Sequence, residues 1–356
     1  MTRTTAPRRR WWHRLWRGQR PPPHAACRVE TPAAAAPAAP DEAGQQAALK
    51  AEQHLQAALC VLALQPLPDR GEPCDAALAA VTAAALQAHQ WGARNLPRRP
   101  QLLPQLIQAV NDPETSARLA AAIIGQDPVL TGNLLRIANS PAFRVQERPV
   151  DSLQRAVTLI GHDGLRQVIS AVLVQPVMQL QCEVFPQFSS IVWEHALLAS
   201  RAASDHARLT GSGDPFAAQW LGLTQGLGAV LVMKELLQRA AEAALPIHHG
   251  TAGTVLAQWT LPVARRVAQA WELPLPVHEA LDTDAPASGL ALSLRVARCM
   301  ATASLLCRHG VIGQSQALAL LERLPGTPPA VLSTLWRRVH GRSVETLADE
   351  AAASQG

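Results

Sequence analysis

The side chains of this sequence best suited to metal chemistry are its twelve histidines. Imidazole nitrogens hold divalent cations, and a carboxylate adds the negative charge of a site that ionises a water for attack on phosphorus. Two short motifs suggest such chemistry, the dipeptide His162-Asp163 and the pair His248-His249. The dipeptide follows Gly161 directly and no ligand partners accompany it, so we expect Asp163 to cap a helix. Adjacent helical positions point about 100° apart, so His248 and His249 do not converge on one ion.

Motifs for nucleophilic catalysis and nucleotide binding are absent from the sequence. It contains no G-x-S-x-G elbow, no P-loop and no dinucleotide-binding fingerprint. The glycine-rich run 222–228 lies inside a helical pattern and lacks the lysine of a P-loop, so we expect close helix packing there. Asn139 and Ser140 end another helical pattern. Asn139 is suited either to a left-handed helix cap or to hydrogen bonds that hold the following loop.

The cysteines give no indication of a disulfide framework or a zinc site. There are six of them: Cys27, Cys60, Cys74, Cys182, Cys299 and Cys307. None forms a C-x-x-C motif, and none has a zinc-like spacing to histidine. Cys299 and Cys307 lie eight positions apart on a predicted helix, too far along its axis to form a disulfide. We therefore expect reduced thiols in a cytosolic protein.

The composition predicts a folded body with a basic N-terminal tail. The 356 residues are 48% hydrophobic and 17% charged, which is enough apolar material for a large core. The formal net charge is +5, but residues 1–30 hold eight arginines and one glutamate, a net of +7. The other residues therefore sum to −2, and an anionic partner would belong to the tail alone. The preference for arginine over lysine, with many alanines and prolines, predicts a GC-rich bacterial source.

The tail interleaves arginine with tryptophan, at Arg8, Arg9, Arg10, Trp11, Trp12 and Trp16. This composition suits a membrane surface or docking on a protein, and it also suits nonspecific binding of single-stranded nucleic acid. A solvated tail without a fixed partner is the third alternative. Residues 1–40 are predicted to be disordered because they are rich in proline and alanine. We expect a cytoplasmic protein, peripheral to the inner membrane if the tail binds lipid, because no signal-like apolar region follows the arginines.

Helical patterns account for the rest of the chain. Residues 41–95 form a short Ala-rich segment with two predicted helices, 41–64 and 73–90. These two helices pack on the main domain or form a dimerising hairpin, which leaves a homo-oligomer open. From residue 96 to 345, apolar positions three and four apart predict ten or more helices and no strands, so the fold class is all-α and multi-helical. Helix starts are marked at Asp127-Pro128, Asp151-Ser152 and Asp214-Pro215.

Several motifs follow one another in order between residues 97 and 310. The first comprises Asp127, Pro128, Leu135, Arg136, Asn139 and Ser140, and the next comprises Gly161, Leu165 and Arg166. His195 and the segment 218–223 come next, followed by Trp259 and Pro262. This order and spacing resemble those of the HDOD family, whose hallmark is a DP turn and a helix ending in LLR-x-A-N-S. The resemblance implies an all-helical, HD-like domain over residues 96–345.

The resemblance also implies where a metal would have been bound, because HDOD domains are similar to the HD phosphohydrolases. His195 matches the first ligand position of that superfamily, and His249 matches a later one. The central His-Asp pair falls on Thr224 and Gln225, and a late His-His position falls near 271–272. Gln225 lacks the charge of aspartate, and Thr224 is a poor ligand for a borderline cation. We therefore expect no metal and no cofactor, with His195 and His249 as buried core side chains.

Two functions follow from these expectations. The first is a non-catalytic output or adaptor module of bacterial signal transduction, which acts by protein–protein interaction with signalling proteins. The alternative is a residual metal-dependent phosphohydrolase acting on a nucleotide second messenger such as cyclic di-GMP. The two differ in whether the position of His195 still serves a metal.

Overall fold

The structure is a computed structural model. It describes residues 42–65, 75–88, 95–97, 122, 124–125, 128–139, 149–152, 155–156, 170–282 and 289–340. All of these residues belong to one unit, residues 40–356. The tail, with its predicted disorder and its arginines and tryptophans, lies outside the described residues.

Helices form all the regular structure in the described part of the chain. In order they are α1 (Glu42–Ala63), α2 (Ala76–Gln87), α3 (Pro128–Ala138), a 3₁₀ turn (Gln175–Met178), α4 (Phe188–Thr210), α5 (Pro215–Ala243), α6 (His249–Ala270), α7 (Leu275–Ala280), α8 (Gly289–Arg308), α9 (Gln314–Leu321) and α10 (Pro329–Val339). The prediction of an all-α, multi-helix fold is thereby confirmed. The predicted domain boundaries stay predictions.

The centre of the fold is α5, which packs against α4 and α6, while α8 packs against α4. Nearly every residue from Phe216 to Leu236 of α5 is buried. Its glycines let the helices approach closely. A Cβ at Gly222 would overlap the backbone of Ser200 on α4, and one at Gly228 would overlap the carbonyl oxygen of Thr260 on α6. The close helix packing predicted for the run 222–228 is confirmed.

The start of α5 follows the local rule expected from the sequence. Pro215 is its first residue, and the Asp214 carboxylate accepts hydrogen bonds from the backbone N–H groups of Phe216 at 3.2 Å and Ala217 at 3.0 Å. Proline has no N–H to leave unpaired at this position, and the carboxylate satisfies two of the free amides. The predicted start at Asp214-Pro215 is therefore confirmed. α3 likewise begins at Pro128, although Asp127 lies outside the described residues.

The two Ala-rich helices pack on the main body. α1 contacts α8, and the Glu52 carboxylate forms an ion pair with Arg295 across that contact. α2 contacts α5 and α6, and the backbone N–H of Asp75 donates to the Thr251 hydroxyl at 2.8 Å. Leu55 of α1 and Leu78 of α2 are almost fully buried. Of the two arrangements that the sequence left open, the structure has packing on the main domain.

Two of the core helices have the length and composition of a membrane span. These are α5 and α8, and 94% and 72% of their most apolar windows are buried inside the protein. An apolar helix at the centre of a folded body meets the same criteria of length and hydropathy as a membrane span. Packing against neighbouring helices is thus a sufficient reason for the apolar character of both.

Candidate functional site

His195, the first of the expected ligand positions, lies on α4 and is buried. Its Nε2 atom lies 3.1 Å from the hydroxyl of Thr302 and 3.4 Å from the carbonyl oxygen of Arg298, both on α8. Burial, together with the nearby charge of Arg298, lowers the pKa of His195 to about 4. The imidazole is therefore neutral near pH 7. Its Nε2, one of the two nitrogens that could bind a metal, already has a hydrogen-bond partner.

This shifted pKa gives a prediction about stability. The unfolded chain binds a proton on His195 near pH 6.5, whereas the folded chain binds it only near pH 4. The contribution of His195 to the free energy of unfolding is therefore fully present above pH 6.5. As the pH falls from there towards 4, this contribution decreases by about 1.4 kcal/mol per pH unit. We expect His195→Gln, which does not titrate, to flatten the pH dependence of urea unfolding by that slope between pH 6.5 and 4.5. Parallel profiles for the two proteins would contradict the assignment.

Thr224 and Gln225 lie on α5, and both are buried. The Thr224 hydroxyl donates to the carbonyl oxygen of Trp220 at 2.7 Å, one turn earlier in the same helix. Its only hydrogen is therefore used within α5. The Oε1 atom of Gln225 is out of solvent contact and has no hydrogen-bond partner within the described part of the chain. The position that would carry the aspartate of a metal site thus holds a neutral amide.

His195 and Gln225 line one small cavity of about 50 Å³. This volume has room for one or two water molecules. α1 covers the cavity with four residues, Gln56, Leu59, Cys60 and Ala63. The cover comes from the segment before residue 96, so a helix outside the HDOD-like region closes over the altered site.

His249 is not among the residues that line this small cavity. It lies in the first turn of α6 and borders a second, larger cavity. The structure therefore places His195 and Gln225 at one cavity and His249 at a neighbouring one, which shares Gln56 and Cys60 with the first. His195 is buried as expected, whereas His249 is only half-buried, because the start of α6 lies at the edge of the helical body.

The donors at the small cavity do not suit a divalent metal. They are the imidazole of His195, the amides of Gln56 and Gln225, the hydroxyl of Thr260 and the thiol of Cys60, whose pKa is raised by burial. The Arg298 charge that lowers the pKa of His195 would also repel a cation. Among the described residues, no group of three or more histidine, cysteine, aspartate or glutamate side chains is placed to hold a metal ion. The residues at this cavity therefore do not fit a divalent metal ion.

Asn139 holds a loop in place, the second of its two expected roles. Its side chain accepts from the N–H of Val150 at 2.7 Å and donates to the carbonyl oxygen of the same residue at 2.9 Å. It is not among the described residues with positive φ, so the left-handed cap is not used. Arg136, three residues earlier, donates to the Gln175 side chain at 2.9 Å and ties α3 to the 3₁₀ turn. These motif residues have structural roles.

Some of the remaining motif residues lie in the part of the chain that the structure describes, and others lie outside it. Leu135 lies on α3, and Trp259 and Pro262 lie inside α6, where Trp259 is buried. Outside the described residues lie Asp127, Ser140, Gly161, His162, Asp163, Leu165 and Arg166. The same holds for the tail residues Arg8, Arg9, Arg10, Trp11, Trp12 and Trp16, so their contacts stay predictions.

Sequence reasoning missed the residues that surround His195. Thr302 and Arg298 lie on α8, more than one hundred positions further along the chain, and Gln56 and Cys60 lie on α1. One signal was present in the sequence. Arg295 and Arg298 lie three positions apart in the middle of the mostly apolar helix α8, which places both charges on one side of it.

Comparison with known proteins matches much of this helical body to a known domain family. The model of the HDOD domain matches residues 96–285. An uncharacterised protein of Treponema pallidum (strain Nichols) is 27% identical over 192 residues, which is 51% of this chain and 36% of that protein. The chain therefore spans about a third of that relative's length.

Two solved structures share the fold. A candidate phosphohydrolase from Shewanella amazonensis SB2B is 21% identical, with a TM-score of 0.51 over 72% of this chain and 95% of that one. A candidate metal-dependent phosphohydrolase from the same organism is 20% identical, with a TM-score of 0.50 over 74% and 98%. At this identity the likeness concerns the arrangement of helices and not the chemistry.

Proposed function

This chain belongs to the HDOD domain family, and from that membership and its altered histidine site we propose a non-catalytic output or adaptor module of bacterial signal transduction. It acts by protein–protein contact. The observation that carries the proposal is the environment of His195, which has Thr302 as a hydrogen-bond partner, the Arg298 cation nearby and α1 over its cavity.

Thr224 and Gln225 of α5 also support a non-catalytic role. A phosphohydrolase of this kind needs a negative ligand to balance the metal and to hold the water that attacks. The Thr224 hydroxyl is bonded within its own helix, and Gln225 is a neutral amide. A substrate would also have to displace α1, because the space beside His195 is far smaller than a nucleotide.

The catalytic alternative is tested on the full chain purified after growth with added manganese and iron. We expect less than one tenth of an equivalent of metal per chain, by order of magnitude for a site without its carboxylate. We also expect any hydrolysis of cyclic di-GMP to be equal in the wild type and in His195→Ala. One equivalent of metal, together with turnover abolished by His195→Ala, would establish the residual phosphohydrolase instead.

The interaction part of the proposal is tested by cross-linking the tagged full chain in its native cells. The experiment requires the full chain, because removing residues 1–95 would strip α1 and α2 from the body and expose the apolar side chains that they cover. We expect a signalling protein to be recovered and to capture this chain when it is tagged in turn. If reciprocal capture fails for every recovered protein, the adaptor role is rejected.

A further inference from the structure

A second cavity, of about 580 Å³, lies between α1, α6 and α8. This volume falls within the range of small-molecule sites in proteins. Much of its wall is apolar and includes Leu55, Leu64 and Ala257. Its polar wall includes His249, Arg295 and Arg298. The cavity is more than ten times the volume of the one beside His195, at about 50 Å³, and the two have only Gln56 and Cys60 in common among their lining residues.

The charged side chains at this wall leave one positive charge uncompensated. Glu52 forms an ion pair with Arg295, while Arg298 donates to the neutral Gln56 side chain at 3.3 Å. The Nε atom of Arg298 is out of solvent contact and has no hydrogen-bond partner among the residues described. A buried charged donor without an acceptor is costly, which favours an acceptor supplied from outside the chain.

Two features of α6 also favour an anionic ligand in this cavity. His249 stands at the start of the helix, where the backbone dipole favours negative charge, and its Nδ1 atom is also buried without a partner in the described part of the chain. Gly253, one turn later, lines the cavity, and no described residue beyond its own stretch of helix lies within 4 Å of where its Cβ would be. The glycine therefore leaves open space beside the polar wall.

We propose that this cavity binds a small amphipathic anion, an acid group carried on an apolar body. The acid group accepts from Arg298, and the apolar body packs against Leu55, Leu64 and Ala257. A fully polar anion would leave the leucines exposed to water, and a neutral apolar molecule would leave the Nε–H of Arg298 without an acceptor. Because α1 forms one wall, the bound ligand also holds α1 against α6 and α8. The proposal concerns ligand binding and is independent of the adaptor role.

The probe is 8-anilinonaphthalene-1-sulfonate, titrated into the full chain and followed by fluorescence, with N-phenyl-1-naphthylamine as the same body without the acid group. We expect one sulfonate site per chain. Arg298→Met should weaken the sulfonate about tenfold, the effect of losing one charge-assisted hydrogen bond, and leave the neutral probe unchanged. Arg298→Lys should retain most of the sulfonate affinity. Equal weakening of both probes by Arg298→Met, or none for either, would overturn the proposal.

A second pair of variants tests the location without altering charge. Gly253→Leu fills the cavity, and Gly132→Leu makes the same change at an exposed helical glycine of α3, which also has open space at its Cβ position. Leucine is the better helix former, so both variants should fold, and circular dichroism checks this. We expect Gly253→Leu to weaken the sulfonate probe by about tenfold or more through lost volume, and Gly132→Leu to leave it unchanged. Equal binding by both variants would place the probe elsewhere and reject the site.

Discussion

Replacing Gly222 with alanine is expected to lower the free energy of unfolding by about 3 kcal/mol, the upper part of the range for overpacked cores. The added Cβ would overlap the backbone nitrogen and Cα of Ser200, and the backbone of α4 cannot turn aside as a flexible side chain can. α4 and α5 would have to separate where both are buried. The loss of contact would therefore extend along the helix pair at the centre of the fold.

The control is the same substitution at Gly132. That residue is exposed on α3, and no described residue beyond its own stretch of helix lies within 4 Å of its Cβ position. Alanine there should raise the free energy of unfolding by about 0.5–1 kcal/mol, because it removes the conformational freedom of a helical glycine. Urea unfolding of the two variants should thus give opposite signs. A stabilising or neutral effect of Gly222→Ala would mean that α4 and α5 pack less closely at this point than the overlap with Ser200 requires.

Features set by neighbouring residues could be predicted from the sequence. The start of α5 follows from the side chain of Asp214 and the ring of Pro215, both of which act within one turn. The close packing at 222–228 follows from glycines spaced along one helical run. The hydrogen bonds of Asn139 reach only to Val150, eleven residues away. In each case the physical cause lies within a few turns of the residue concerned.

The surroundings of His195 could not be predicted in this way. Its partner Thr302 is 107 positions away, and only the packing of α8 on α4 brings the two together. The cover over the cavity depends on α1, whose alanine-rich pattern was compatible with two different arrangements. An alanine-rich helix has few large or charged side chains that could specify where it docks. The position of α1 therefore depends on the ion pair between Glu52 and Arg295 and on the burial of Leu55.

The two cavities share Gln56 and Cys60 of α1 as wall residues. A movement of α1 would therefore change both the cover of His195 and the wall of the larger cavity. Through these two residues, α1 contacts both cavities. In an adaptor without catalysis, a ligand that holds α1 in place would alter the surface available to a protein partner. The adaptor role and the ligand site stay separable, because the probe experiment measures only binding.

Replacing Trp271 with alanine is expected to lower the free energy of unfolding by about 4 kcal/mol, as for other large aromatic side chains removed from a core. Trp271 directly follows α6 and is fully buried. Its indole packs edge-to-face on Trp220, with ring centroids 6.5 Å apart, and its Nε1–H donates to the carbonyl oxygen of Pro97 at 2.9 Å. Alanine would leave a cavity, end the aromatic contact and leave that carbonyl unpaired.

Phenylalanine at the same position separates these contributions. Trp271→Phe keeps most of the ring but loses the hydrogen bond to Pro97, so we expect a loss of about 1–2 kcal/mol. Equal losses for alanine and phenylalanine would mean that the hydrogen bond, and not the volume, stabilises this part of the core. The resemblance to HD phosphohydrolases placed a late ligand position near 271–272. We expect Trp271→His to destabilise the protein nearly as much as alanine and to recruit no metal, because imidazole does not fill the volume of the buried indole or restore its contact with Trp220.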